Sequence, residues 1–191
     1  MARTRLSRSD RNAQLIEVSW ALVRAEGADA LTLGRLAEHA GVAKPVVYSH
    51  FASRAELLAA LFTEFDARQA AMLEQSLDSA PMTVRGRAQA IADSYVGCTL
   101  AQGRELTGVL AALEGSPELE QVKRTAERAY FERCREILRP FTDADGMSTP
   151  SLTAVFGAAD ALSHGAVSGS LTPTEAIGEL TDLIVAAVDR S

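Results

Sequence analysis

Glycines and prolines cut this chain into pieces, and within each piece apolar residues recur at intervals of three and four. No run of strand length alternates between apolar and polar residues. The spacing predicts an all-α fold of about nine helices, over roughly 10–27, 32–40, 44–51, 53–79, 83–102, 104–114, 117–140, 150–169 and 173–189. The boundaries have chemical reasons. Ser9 or Asp10 can accept from the free amides that open the first helix, and Gly27 suits the left-handed conformation that closes it. Thr32 is placed to cap the second helix, and Pro45 fits the first turn of the third, where no amide donor is needed. Ser53-Arg54-Ala55-Glu56 and Thr172-Pro173-Thr174-Glu175 are capping-box patterns opening the fourth and ninth helices. The stretch from Pro140 to Pro150 is expected to be the flexible loop.

The formal net charge of −6 speaks against nucleic acid as a partner only if the charges are evenly spread. They are not. Residues 1–60 carry eight Lys and Arg against six Asp and Glu, and residues 61–191 carry 11 against 19. A mildly basic head precedes an acidic remainder. Cys98 and Cys134 lie far apart in no metal-ligand spacing and read as small buried hydrophobes. No apolar stretch is long enough for a membrane span, and no apolar run follows the basic first residues as in a secretory signal. Cytoplasmic localisation and no cofactor are expected.

The second and third helices are each about two turns long, with Gly41-Val42-Ala43 between them. That spacing fits a helix-turn-helix, and equally an ordinary helical corner. Gly41 can take positive φ and Val42 can plug the angle. Leu36, Ala37 and Val47 can close a small core on the first helix, whose own stripe is Leu15, Ile16, Ser19, Leu22 and Val23.

Residue identities go further than spacing. Thr32, Leu36-Ala37, Ala40-Gly41-Val42, Tyr48-Ser49-His50-Phe51 and Ser53-Arg54 stand in one short stretch, preceded by Leu15-Ile16 and Glu26-Gly27. Over about residues 12–60 this resembles the DNA-binding head of the TetR family of bacterial transcriptional regulators. A departure is Val46-Val47, where many members carry Thr or Ser before Leu, which leaves fewer polar groups for base contact. The resemblance implies a three-helix head over 1–52 and a larger helical ligand-binding and dimerisation domain over 53–191. It implies that the third helix enters the major groove, offering Lys44, Pro45, Val46, Ser49 and His50. Lys44 can donate to guanine or phosphate, and Pro45 and Val46 can pack on thymine methyls. By the same resemblance Thr32, Tyr48, His50 and Arg54 are phosphate contacts, which position the head without reading sequence. Tyr48 also has a reading as a core aromatic. The arm Arg3, Arg5, Arg8 and Arg11 reads as a DNA contact or as a solvated tail.

In the larger domain, Ala158, Ala161 and Gly165 allow close helix approach, and Leu180, Leu183, Ile184 and Ala187 form an apolar stripe. Paired with their copies they would make a four-helix homodimer interface, and two heads would then read a roughly palindromic operator. The other reading is an intrachain core. Candidate liners of a mostly apolar ligand pocket are Tyr95, Cys98, Thr99, Gln102, Tyr130, Cys134, Asp160 and His164, with Phe62, Phe65, Phe131 and Phe156 able to complete it. The expected function is a ligand-released dimeric repressor with an unidentified small, mostly apolar ligand. The alternative keeps the DNA-binding head with a second domain that only dimerises or binds a protein partner. An enzyme is not expected. The i,i+4 pair Asp160 and His164 could serve acid–base chemistry, but no nucleophile elbow, phosphate loop, zinc-protease motif or Cys/His cluster accompanies it.

Overall fold

Ser7, not Ser9 or Asp10, opens the first helix: its hydroxyl accepts from the Asp10 amide across 3.1 Å. The computed structural model describes residues 6–114, 116–143 and 146–191. Among these the chain forms α1 (Arg8–Glu26), α2 (Leu33–Ala40), α3 (Lys44–Tyr48), α4 (Arg54–Ser79), α5 (Val84–Gln102), α6 (Arg104–Glu114), α7 (Pro117–Leu138), α8 (Thr149–Ser168) and α9 (Pro173–Val188). No strand occurs among the described residues, so the all-α expectation holds. Arg3 and Arg5 of the arm, Gly115, and Ala144-Asp145 of the long loop lie outside the described residues.

Most predicted ends are met within a residue or two. Two differ for local reasons. Helix α3 stops at Tyr48, and Ser49 and His50 continue as a hydrogen-bonded turn. Helix α7 stops at Leu138, because Pro140 disfavours helical backbone in the residue before it; Arg139–Phe141 is a single 3-10 turn. The Thr172–Glu175 capping box forms in both directions. The Ser53–Glu56 pattern forms half of one: Ser53 Oγ accepts from the Glu56 amide, while Glu56 reaches back to the Ala52 amide instead.

Two compact units divide the chain. The first comprises residues up to Phe65 together with Arg104–Lys123, and the second comprises Asp66–Gly103 together with Arg124–Ser191. Helices α4 and α7 each continue from one unit into the other, and α6 is grouped with the head.

In the first unit, α2 packs on α1 and α3, and α6 packs on α1 and on the 3-10 turn Ala28–Ala30. The expected inner stripe of α1 is buried at Leu15, Ile16, Ser19, Leu22 and Val23, and Trp20 joins it. Leu36, Ala37 and Val47 are buried as expected. Each fully buried leucine contributes about 1.5–3 kcal/mol relative to exposure. The Trp20 indole donates to Glu64 Oε2 across 3.0 Å, tying α1 to α4. Gly41 closes α2 at φ +63, with open space where a Cβ would stand. Its glycine is therefore demanded by backbone conformation rather than by crowding.

In the second unit, α5 packs against α8 and α9. Small residues on α5 (Ala88, Ala92) meet Leu180, Ile184, Ala187 and Val188 of α9 in one buried cluster. The expected interface stripe thus splits. Leu180, Ile184 and Ala187 are core residues of this chain, and Gly165 is closed over by Leu171, whose Cδ1 would lie 2.9 Å from a Cβ there. Ala161 is exposed, and Ala158 and Leu183 are half-buried.

Candidate functional site

The head presents a short helix outward. Helix α3 is held by Val47, fully buried, while Lys44, Pro45, Tyr48 and Ser49 are exposed and Val46 is half-buried. Tyr48 keeps 55% of its surface, so it is not the core aromatic that one sequence reading allowed. A large aromatic left that open on a five-residue helix is available to a partner, with a flat face and a donor at its tip. Ser49 Oγ donates to the Val46 carbonyl across 2.7 Å, so its proton is committed to its own helix. Phe51 is buried.

Thr32 is exposed, and its hydroxyl accepts from the Arg35 amide across 3.1 Å, capping α2. His50 is half-buried. Burial holds its imidazole below the usual range, and the Arg8 and Arg11 charges push the same way. The shift favours the neutral ring, which can serve as a hydrogen-bond partner. Arg54 is also half-buried, and its guanidinium is turned onto backbone carbonyls of Leu31 and Ala28. A feature not singled out in the sequence joins α1 to α2: Arg35 donates to Glu26, and His39 Nε2 lies 3.4 Å from the same carboxylate. Arg35 holds the Glu26 carboxyl below its usual range.

In the second unit the candidate pocket residues separate into a buried set and an exposed pair. Tyr95, Tyr130 and Phe156 stand edge to face or tilted at 5.3–5.7 Å between ring centroids, and Phe131 stacks on Phe156 at 4.7 Å. Cys98 and Cys134 are buried, and desolvation pushes the Cys134 thiol up to about 12. Asp160 and His164 are exposed; Asp160 reaches the group by accepting from the Tyr95 hydroxyl across 2.6 Å. Burial, then the Asp160 charge, pushes the Tyr95 phenol well above its usual range. Thr99 is half-buried and donates to the Tyr95 carbonyl. Phe62 and Phe65 lie in the first unit, in contact with each other.

Three buried polar atoms have no hydrogen-bond partner among the described residues: Gln102 Nε2, Tyr130 Oη and Ser163 Oγ. Ser94, Cys134 and Cys98 neighbour the Tyr130 hydroxyl. Ser163 was not foreseen. Its sequence signal is a lone hydroxyl two turns after Phe156 on the same face of α8, where Ala159 also points inward.

Comparison with known proteins bears on the head first. Residues 15–61 match the N-terminal domain of the bacterial regulatory proteins of the tetR family. No curated protein matches the sequence. Among solved structures, a Pseudomonas aeruginosa PAO1 protein superposes at a TM-score of 0.80 with 18% identity, over 95% of this chain and 91% of that one. SCO4454, a TetR-family transcriptional regulator from Streptomyces coelicolor, gives 0.74 with 18% identity, over 95% and 96%. The transcriptional regulator FadR from Bacillus subtilis, solved in complex with stearoyl-CoA, gives 0.75 with 17% identity, over 92% and 98%. At these identities the likeness beyond residue 61 is one of fold. Residues 15–61 thus carry the N-terminal domain of the bacterial regulatory proteins of the tetR family, and the chain shares its fold along nearly its whole length with these solved structures.

Proposed function

We propose that the protein is a dimeric repressor that leaves a roughly palindromic operator when a small, mostly apolar ligand enters its second unit. The observation that carries the DNA half is the outward face of α3. Lys44, Pro45, Tyr48 and Ser49 stand free on a helix anchored from behind by Val47. Lys44 would donate to guanine or phosphate, Pro45 and Val46 would pack on thymine methyls, and Thr32 and Tyr48 would contact backbone. His50 would add a hydrogen bond. Arg8 and Arg11 remain candidates for the neighbouring backbone.

The ligand half is supported by the buried polar atoms of Gln102, Tyr130 and Ser163. An unpaired buried donor costs the folded protein about 1–3 kcal/mol, so a group kept that way calls for a purpose such as meeting a ligand. FadR of Bacillus subtilis, similar in fold, was solved holding stearoyl-CoA. Helix α4, which continues from the head into the second unit, would carry the effect. A hundredfold loss of DNA affinity needs about 2.7 kcal/mol of coupling. The dimer would use the exposed faces of α8 and α9 at Ala158, Ala161 and Leu183.

Selecting genomic fragments bound by the protein, then titrating apolar compounds into that complex, tests the reading. Recovery of an inverted repeat, and its release by one compound class, would support it. Recovery of unrelated sequences, or a complex indifferent to every compound, would count against it.

A further inference from the structure

We infer that Arg54 acts on DNA binding as a positioning residue: its guanidinium fixes the turn that sets the start of α2, and it is not itself a phosphate ligand. The resemblance implied the opposite role. The geometry is specific. Arg54 Nε donates to the Leu31 carbonyl and Nη2 donates to the Ala28 carbonyl, each across 2.9 Å. Those donors form one of the two edges by which a planar guanidinium can grip a phosphate with two parallel bonds, and the backbone takes it.

The two acceptors belong to one short piece of backbone. Ala28–Ala30 is a single 3-10 turn, closed by the Leu31 amide bonding to the Ala28 carbonyl across 3.2 Å. Arg54 therefore holds both ends of the turn. Leu31, wholly buried, directly precedes Thr32, the residue that caps α2. Chain direction at Leu31 decides where the Thr32 hydroxyl and the first amides of α2 point. Leu31 to Arg54 is a separation of 23 residues, so this contact also joins the beginning of the two-helix motif to the beginning of α4.

A second observation favours the role. Arg54 is the first residue of α4, where a positive charge meets the positive end of the helix dipole. A cation there is disfavoured unless something nearby compensates it. The two carbonyls do so, and they are uncharged groups that no change of salt removes.

The test uses a fluorescein-labelled duplex selected from random sequence by the parent protein. Binding of the parent, Arg54→Ala, Arg54→Lys and Arg54→Gln is measured from 50 to 300 mM salt, on the order of the range in which phosphate contacts report. Arg54→Gln keeps a long polar stem and serves if the alanine variant does not fold. Arg54→Ala or Arg54→Gln is expected to bind at least tenfold more weakly at every salt concentration, with the slope of log K against log salt unchanged. Arg54→Lys is expected to recover only part of the loss, because one ammonium does not reproduce a planar two-carbonyl grip. Amide exchange at Gly34, Arg35 and Leu36 should quicken in the weakened variants. A slope shallower by about 0.9 with full rescue by lysine would make Arg54 a phosphate ligand and overturn the inference. So would affinity equal to the parent's.

Discussion

The Tyr95 hydroxyl donates to a carboxylate oxygen of Asp160 across 2.6 Å, joining α5 to α8 at the edge of the aromatic group. A hydrogen bond to a charged acceptor is stronger than a neutral one, but Asp160 is exposed and water competes for it. Tyr95→Phe should cost about 1 kcal/mol in urea unfolding. Asp160→Asn, which keeps an acceptor, should cost less. An equal cost for both would mean that the Asp160 charge, not the Tyr95 donor, carries the contact.

Tyr130 makes the contrasting case. Its hydroxyl is buried without a hydrogen-bond partner among the described residues, so removing it removes a desolvated group and no bond. The ring contacts with Tyr95 and Phe156 remain. Tyr130→Phe is expected to hold or raise the melting temperature of the ligand-free protein while weakening any ligand that the second unit takes. A melting temperature several degrees lower would show that the hydroxyl is bonded after all.

The buried thiol of Cys134 gives a pH dependence of definite sign. Burial raises its folded pKa from 9.0 to about 12. Above pH 9 the unfolded chain releases this proton and the folded chain keeps it, so the unfolded state binds fewer protons and stability falls as pH rises towards 12. Below pH 9 this contribution is fully present. Burial and a protonated thiol also make the residue inert. Iodoacetamide at pH 8 should leave Cys98 and Cys134 unlabelled in the folded protein and label both in urea. Labelling of the folded protein at the unfolded rate would contradict the burial.

Substitutions at two head positions separate cap from turn. Thr32→Ala deletes the hydroxyl that accepts from the Arg35 amide and should cost about 1 kcal/mol of stability, and Thr32→Ser should restore it. Gly41→Ala meets no atom within 4 Å, so its cost should be that of forcing an alanine to φ +63, about 1–2 kcal/mol. Thermal unfolding of the three proteins measures both. A Gly41→Ala protein as stable as the parent would mean that the turn relaxes to negative φ.

The fold was largely legible because its punctuation is chemical and local. Gly41, Pro45 and Thr172 act on their own neighbours, so their roles can be read in one dimension. The site was legible where a side chain's fate depends on its own helix face, as for Val47 turned in and Tyr48 turned out. It was not legible where the fate depends on a distant partner. The Leu180, Ile184 and Ala187 stripe is apolar whichever surface it meets, and only the positions of α5 and α8 decide that this chain covers it. Arg54 likewise carries the same charge whether it meets a phosphate or two carbonyls. The carbonyls lie 23 and 26 residues away, beyond the reach of any spacing rule.

If the exposed face of α3 binds duplex DNA, the salt dependence of binding to the selected duplex will report it. Log K should fall linearly with log salt, and Lys44→Ala should both weaken binding and make the slope shallower, by about 0.9 if Lys44 meets a phosphate. Affinity for that duplex should exceed affinity for unrelated sequence by a factor of roughly a thousand or more. Equal affinity for both duplexes, or a Lys44→Ala protein that binds as the parent does, would contradict the account.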